Sequence, residues 1–260
     1  MAAAQELPPS VAPSRTGWEA LAEPGKLVLL DGTRPHLRRV MQELAHFAVH
    51  EREGSVLWLD GEHGFNPYDF AELNMARGHP AEWGADRVLV KRCMTPFQWD
   101  TVLTKHLEAK LEREDAALVI VSPYDALFST DELKDWEKRD YVAFSARHLR
   151  SLAAEHAVPI LLSVDLACWW PAHPALARAT YGACAARWTV EPSGAGWAAV
   201  EWATARRAGA PGVARQPSLR DFEGHAWPRA GAPAGAPAAE DAAPGALLTV
   251  VRRQEPLARA

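Results

Sequence analysis

The sequence predicts an α/β fold: a mainly parallel central sheet with helices on both faces and a β-hairpin added at its C-terminal edge. Three observations predict it. Short apolar runs alternate with longer amphipathic stretches from residue 18 to about 204, the pattern of repeated strand–helix–strand units. Ala117–Val121 contains no polar residue, and Val158–Val164 is apolar except for Ser163, as expected for strands covered on both faces. Arg187–Glu191 and Trp197–Ala205 flank the turn sequence Pro192-Ser-Gly-Ala-Gly196, which reads as an antiparallel pair.

The elements follow in order. Lys26–Asp31 is a buried-strand run, and Leu37–Glu51 places Leu37, Val40, Met41, Leu44 and Ala48 at helical spacing. Ser55–Asp60 is the next strand. Pro67–Arg77 reads as a helix with proline in its first turn. Arg87–Lys91 is a short strand. Thr95 caps a helix that runs to Glu114 with Trp99, Leu103, Leu107 and Leu111 on one face. Residues 129–140 are charged and irregular, and Tyr141–His156 is a helix. Residues 1–17, rich in Ala, Pro and Ser, read as a disordered arm ahead of a core domain over 18–205. Residues 206–246 read as a linker, because from Arg229 to Ala246 only Arg229, Glu240 and Asp241 are not Ala, Gly or Pro. Residues 247–260 form a short C-terminal segment, in which Leu247–Val251 is a candidate strand.

Composition narrows the function. A formal net charge of -5 excludes a uniformly basic nucleic-acid coat, but not a local basic patch. The cysteines, Cys93, Cys168 and Cys184, have neither metal-ligand nor disulfide spacing and fit a reducing cytoplasm. No apolar run has the length of a membrane helix, and Met1–Arg15 lacks the pattern of a signal peptide. His46, His50 and His63 show no ligand spacing and read as structural, so no metal site is expected. Zinc, dinucleotide and nucleophile-elbow fingerprints are absent.

In a parallel sheet, ligands sit at the carboxyl ends of the strands, so the residues just after each strand are the informative ones. Four such stretches occur in order: Asp60-Gly-Glu62-His-Gly-Phe-Asn-Pro67, Arg92–Gln98, Ala117–Phe128 and Phe144–Leu166. Together they resemble the RecA/RadA recombinase family over roughly residues 24–205. The resemblance implies a RecA-like P-loop NTPase fold. It aligns Glu62 with the glutamate that orients the attacking water, and it places a DNA-contacting loop after the strand at 158–164, where Trp169 and Trp170 stand. Residues 131–140 match the position of the family's other DNA loop, but their mixed charge favours a solvated loop or helix cap.

The departures from that pattern decide the expected chemistry. The phosphate-binding loop GxxxxGK[ST] aligns with Gly32-Thr-Arg-Pro-His-Leu-Arg-Arg39. Leu37 replaces the second glycine, Arg38 the lysine and Arg39 the magnesium-binding hydroxyl. Ser122 stands at the metal-positioning aspartate, and Asp165 at the γ-phosphate sensor. Positioning and electrostatics supply most of phosphoryl-transfer catalysis, so ordinary ATPase activity is not expected. Glu62 then reads either as a vestigial catalytic carboxylate or as an ordinary loop residue. Gly32, Arg34, His36, Arg38 and Arg39 read either as an anion or nucleotide-phosphate site at a helix N-terminus or as a solvated basic first turn. Trp169 and Trp170 either stack on DNA bases or pack onto the domain.

Three functions remain open. The favoured one is a non-catalytic RecA-like paralog, an accessory in DNA recombination or repair, with a RecA/RadA-type recombinase, a second copy of itself or single-stranded DNA as partner. In this reading no cofactor is required, and any ATP would bind without the normal magnesium site. The alternatives are a protein-interaction scaffold with no DNA role, and an atypical ATPase using Arg38 and Glu62 with Asp60 or Asp125 recruiting magnesium. All three are cytoplasmic, without a membrane partner.

Overall fold

A computed structural model describes residues 16–129, 132–165, 173–193, 196–202 and 248–253, with side chains described for residues 18–129, 132–165 and 173–191. It is an α/β fold whose central body is an open sheet of six parallel strands flanked by helices. The strands are β1 (Leu27–Asp31), β2 (Ser55–Asp60), β3 (Val88–Arg92), β4 (Ala116–Ser122), β5 (Ile160–Val164) and β6 (Ala186–Ser193), in the spatial order β3-β2-β4-β5-β1-β6. The order continues through β7 (Gly196–Trp202), antiparallel to β6, and β8 (Leu248–Arg253), parallel to β7.

Alternation along each strand divides the core in two. Leu27, Leu29, Leu57, Leu59, Val119 and Val121 face one layer; Val28, Leu30, Val56, Trp58, Leu118 and Ile120 face the other. The second layer is covered by α1 (Thr16–Leu21), α2 (Arg34–Glu51) and α3 (Pro67–Ala76), with Leu37, Val40, Met41, Leu44 and Phe70 inserted into it. The first is covered by α4 (Pro96–Lys105), α5 (Leu107–Leu111), α6 (Asp135–Glu155) and α7 (Pro174–Ala183). Two-sided burial is why the strands read as continuous apolar runs.

Several boundaries differ from the sequence reading. The stretch from Thr95 to Glu114 is two helices, because the backbone at His106 (φ -122°, ψ -34°) leaves helical geometry between them. Leu107 and Leu111 are buried beyond that break. The long helix α6 starts at Asp135, not Tyr141, so the charged stretch is its first two turns. Asp135 and Glu137 sit at its positive end, and the Lys134 N–H donates to Glu137 at 2.8 Å. Helix α7 has no counterpart in the sequence reading, although Leu176, Ala177, Thr180 and Ala183 are buried at helical spacing.

Candidate functional site

The carboxyl ends of β2, β4, β5 and β1 stand side by side. Residues from all four meet at one cleft of about 190 Å³, whose lining includes Arg34, Leu37, Arg38, Glu62, Ser122 and Ser163. This volume lies below the roughly 300–1,000 Å³ common for small-molecule sites.

Between β1 and α2 there are only two residues, Gly32 and Thr33. Pro35 fixes the first turn and the Leu37 N–H donates to the Thr33 carbonyl at 2.9 Å, so helix occupies the stretch aligned with a phosphate loop. Leu37 is 2% exposed. Its Cγ lies 3.6 Å from the point where a Cβ on Gly32 would stand, so it packs back over the glycine.

The basic residues of this turn are engaged unequally. Arg34 donates through Nη1 to Glu62 and through Nη2 to Asp125 Oδ2 at 3.2 Å. Arg39 lies 3.8 Å from Glu43, which also accepts from Arg77. His36 is half-buried, which lowers its pKa. Arg38 is exposed at the cleft and holds no ion pair among the described residues.

The other strand ends are held by neutral or internal contacts. Asp60 is fully buried, and its carboxylate accepts the N–H groups of Glu62 (3.2 Å), Gly64 (2.7 Å) and Phe65 (3.4 Å). It therefore organises the loop that carries Glu62 and does not point at a ligand. Gly61 sits so close to β4 that a Cβ would come within 2.7 Å of the Pro123 carbonyl, and its N–H donates to the Ser122 carbonyl at 3.2 Å. The Ser163 hydroxyl donates to Ser122 Oγ at 2.6 Å, tying β4 to β5.

Asp125 is 2% exposed and one of its oxygens has no hydrogen-bond partner. Burial pushes its pKa up to about 6, against the opposing pull of Arg34. The sequence reading did not place Asp125 beside Arg34. The residues present do not fit a magnesium nucleotide: the β1–α2 connection is too short to cradle a phosphate, Arg39 is a cation turned to Glu43, and the Ser122 hydroxyl is paired with Ser163. Among the described residues no group of three or more His, Cys, Asp or Glu side chains is arranged to hold a metal ion. Instead His50 stacks on the rings of Trp83 (4.0 Å) and Phe70 (6.3 Å), while His79 lies tilted 4.0 Å from Trp83 and His46 tilted 5.8 Å from Phe70. Trp169 and Trp170 lie outside the described residues.

A second concavity, of about 700 Å³, runs beside β3 at the end of the sheet. Leu57, Leu59, Val88, Val102 and Leu107 supply its apolar surface, and Lys91, Lys105, His106, Lys110 and Arg113 its polar rim. The sequence reading missed this groove. The only local signal was a lysine near the end of a short strand, a common device on edge strands.

No protein-family model matches the chain, and no curated protein matches it. No helix among the described residues is long and apolar enough to cross a membrane.

Proposed function

We propose that this chain is a RecA-like protein without ATPase chemistry that acts by binding another protein, as an accessory in DNA recombination or repair. In this reading the β6–β7 pair is the RecA-like hairpin, with β8 beyond it. The support for the RecA-like assignment is positional. Gly32, Glu62, Ser122 and Asp165, which the resemblance aligns with four parts of one nucleotide site, come from four strands and lie at the adjacent carboxyl ends of those strands.

The observation that carries the loss of catalysis is the Arg34 bridge. The residue aligned inside the phosphate loop is bound to Glu62, the residue aligned with the catalytic carboxylate, and to Asp125. With that cleft small and internally neutralised, the larger open feature is the β3 groove. An exposed strand edge beside an apolar trough is a recurrent site for an added peptide strand. A protein partner, recombinase or otherwise, is therefore favoured over single-stranded DNA. The atypical-ATPase alternative is disfavoured because Asp60 is committed to its own loop and Asp125 is buried against Arg34.

The test is calorimetry of purified protein with ATP at millimolar concentration, with and without magnesium, alongside a phosphate-release assay. No binding heat and no turnover are expected. Magnesium-dependent turnover that disappears in Glu62→Gln overturns the reading.

A further inference from the structure

We infer that the β3 groove recognises an extended acidic segment of its partner, paired along β3 with apolar side chains on the floor and carboxylates against the α4–α5 wall. The inference rests on the reading of this groove as the docking site and adds the chemistry of what docks there.

The shape points to a strand. β3 pairs only with β2, and among the described residues no strand pairs with its outer edge. The groove is lined by Val88, Leu89, Val90 and Lys91 in succession. Successive strand residues face opposite sides of a sheet. A trough touching four in a row therefore follows the backbone edge, where unpaired N–H and C=O groups await a partner.

The charge points to an acidic occupant. No Asp or Glu lines the groove, whereas Lys91, Lys105, His106, Lys110 and Arg113 do, and all five are exposed. Lys110 is paired with Glu114 at 2.6 Å. Lys91, Lys105 and Arg113 hold no ion pair among the described residues. Lys105, His106, Lys110 and Arg113 come from successive positions along this wall, which asks for several negative charges along a ligand and not one anionic headgroup. No Trp, Tyr or Phe lines the groove, so the stacking platforms that hold single-stranded nucleic acid are missing. A second copy presenting the same basic edge would be repelled, which is how edge lysines discourage self-pairing. Carboxylates on a partner turn that repulsion into recognition.

The experiment uses the full chain and short fluorescein-labelled peptides at low salt, read by anisotropy. The probes are a peptide alternating Glu and Asp with Val and Leu, the same peptide with Ser and Thr in place of the acids, the same with Lys, and labelled oligo-dT. The acidic peptide is expected to bind about tenfold more tightly than the Ser/Thr version, with the preference shrinking as salt rises. Lys105→Glu with Lys110→Glu and Arg113→Glu should abolish the preference and let the Lys peptide bind. If that triple variant does not fold, Lys105→Glu alone, at an exposed site, reads the same change in smaller size. Ala109→Trp, which fills the groove, should remove all peptide binding.

Equal affinity for the acidic and Ser/Thr peptides, both lost in Ala109→Trp, overturns the acidic preference and leaves groove docking standing. No peptide binding at millimolar concentration overturns both. Binding of oligo-dT in preference to every peptide overturns the inference in favour of a nucleic-acid track.

Discussion

Asp125→Asn probes the closed cleft through its pH dependence. The carboxyl is 2% exposed, and burial holds its folded pKa near 6, above the ordinary 3.8. A raised carboxyl pKa means that the folded state keeps its proton longer than the unfolded chain does. The associated stability is therefore complete below about pH 3.8 and is lost as pH rises through about 6. Two pKa units correspond to about 3 kcal/mol, of which about 2 kcal/mol is lost between roughly pH 4.5 and 8. Asparagine has the same shape and does not titrate. Urea unfolding of both proteins across this range gives the difference in stability at each pH. Comparing that difference at the two ends cancels any constant effect of the substitution, such as the weakened contact to Arg34. The variant is expected to gain about 2 kcal/mol on the wild type from the acid to the alkaline end. Parallel profiles would refute the reasoning, because they would mean that Asp125 is either solvated or fully compensated by Arg34.

Two further perturbations use the same assay. Arg34→Ala removes the guanidinium that pulls the Asp125 pKa down, so the pH at which wild-type stability falls should move upward by roughly one unit; an unmoved profile shows that the bridge is not felt by Asp125. His46→Gln tests the opposite sign. His46 is 2% exposed, and burial, then Arg77, His50 and His79, lower its pKa to about 3. Its neutral form contributes stability above about pH 6.5 that is lost as pH falls toward 3, so wild type should lose about 2 kcal/mol from this residue between roughly pH 7.5 and 5. The glutamine variant should lose correspondingly less, and an equal loss in both proteins sinks the assignment.

The parts of the fold that were legible are those written in local periodicity. Leu27 and Leu29 face one layer and Val28 and Leu30 the other, and the wholly apolar character of such strands announced helices on both sides. Helix boundaries were less legible where charge masked the pattern. Residues 131–140 read as a solvated loop or a helix cap, and α6 starts within them: acids are favoured in a first turn, and a side chain as polar as Lys138 is buried there. The site was legible only as a set of strand ends. Glu62 and Asp125 lie 28 and 91 residues from Arg34, and no spacing rule joins them. The groove escaped for the same reason: β2, β3, α4 and α5 each supply part of it, and β3 is exposed only because the sheet order ends there.

The short β1–α2 connection and the Arg34 bridge constrain each other. Turning the β1–α2 connection into a loop that cradles a phosphate requires the first turn of α2 to unwind and Leu37 to leave the core, where its loss typically costs about 2–5 kcal/mol. Moving that turn withdraws Arg34 from Asp125, leaving a buried carboxyl with no cationic partner. Breaking such a pair costs between the ~1 kcal/mol of an exposed bridge and the ~3–5 kcal/mol of a buried one, since Arg34 is partly exposed and Asp125 is not. A ligand could drive the opening only by contacts worth more than both terms together. Arg38 is the one cation of this turn that lines the cleft and holds no ion pair among the described residues, and a single exposed arginine does not supply that. Placing glycine at position 37 or aspartate at position 122 alone would therefore leave the Arg34 bridge across the cleft intact, because it lies at neither position.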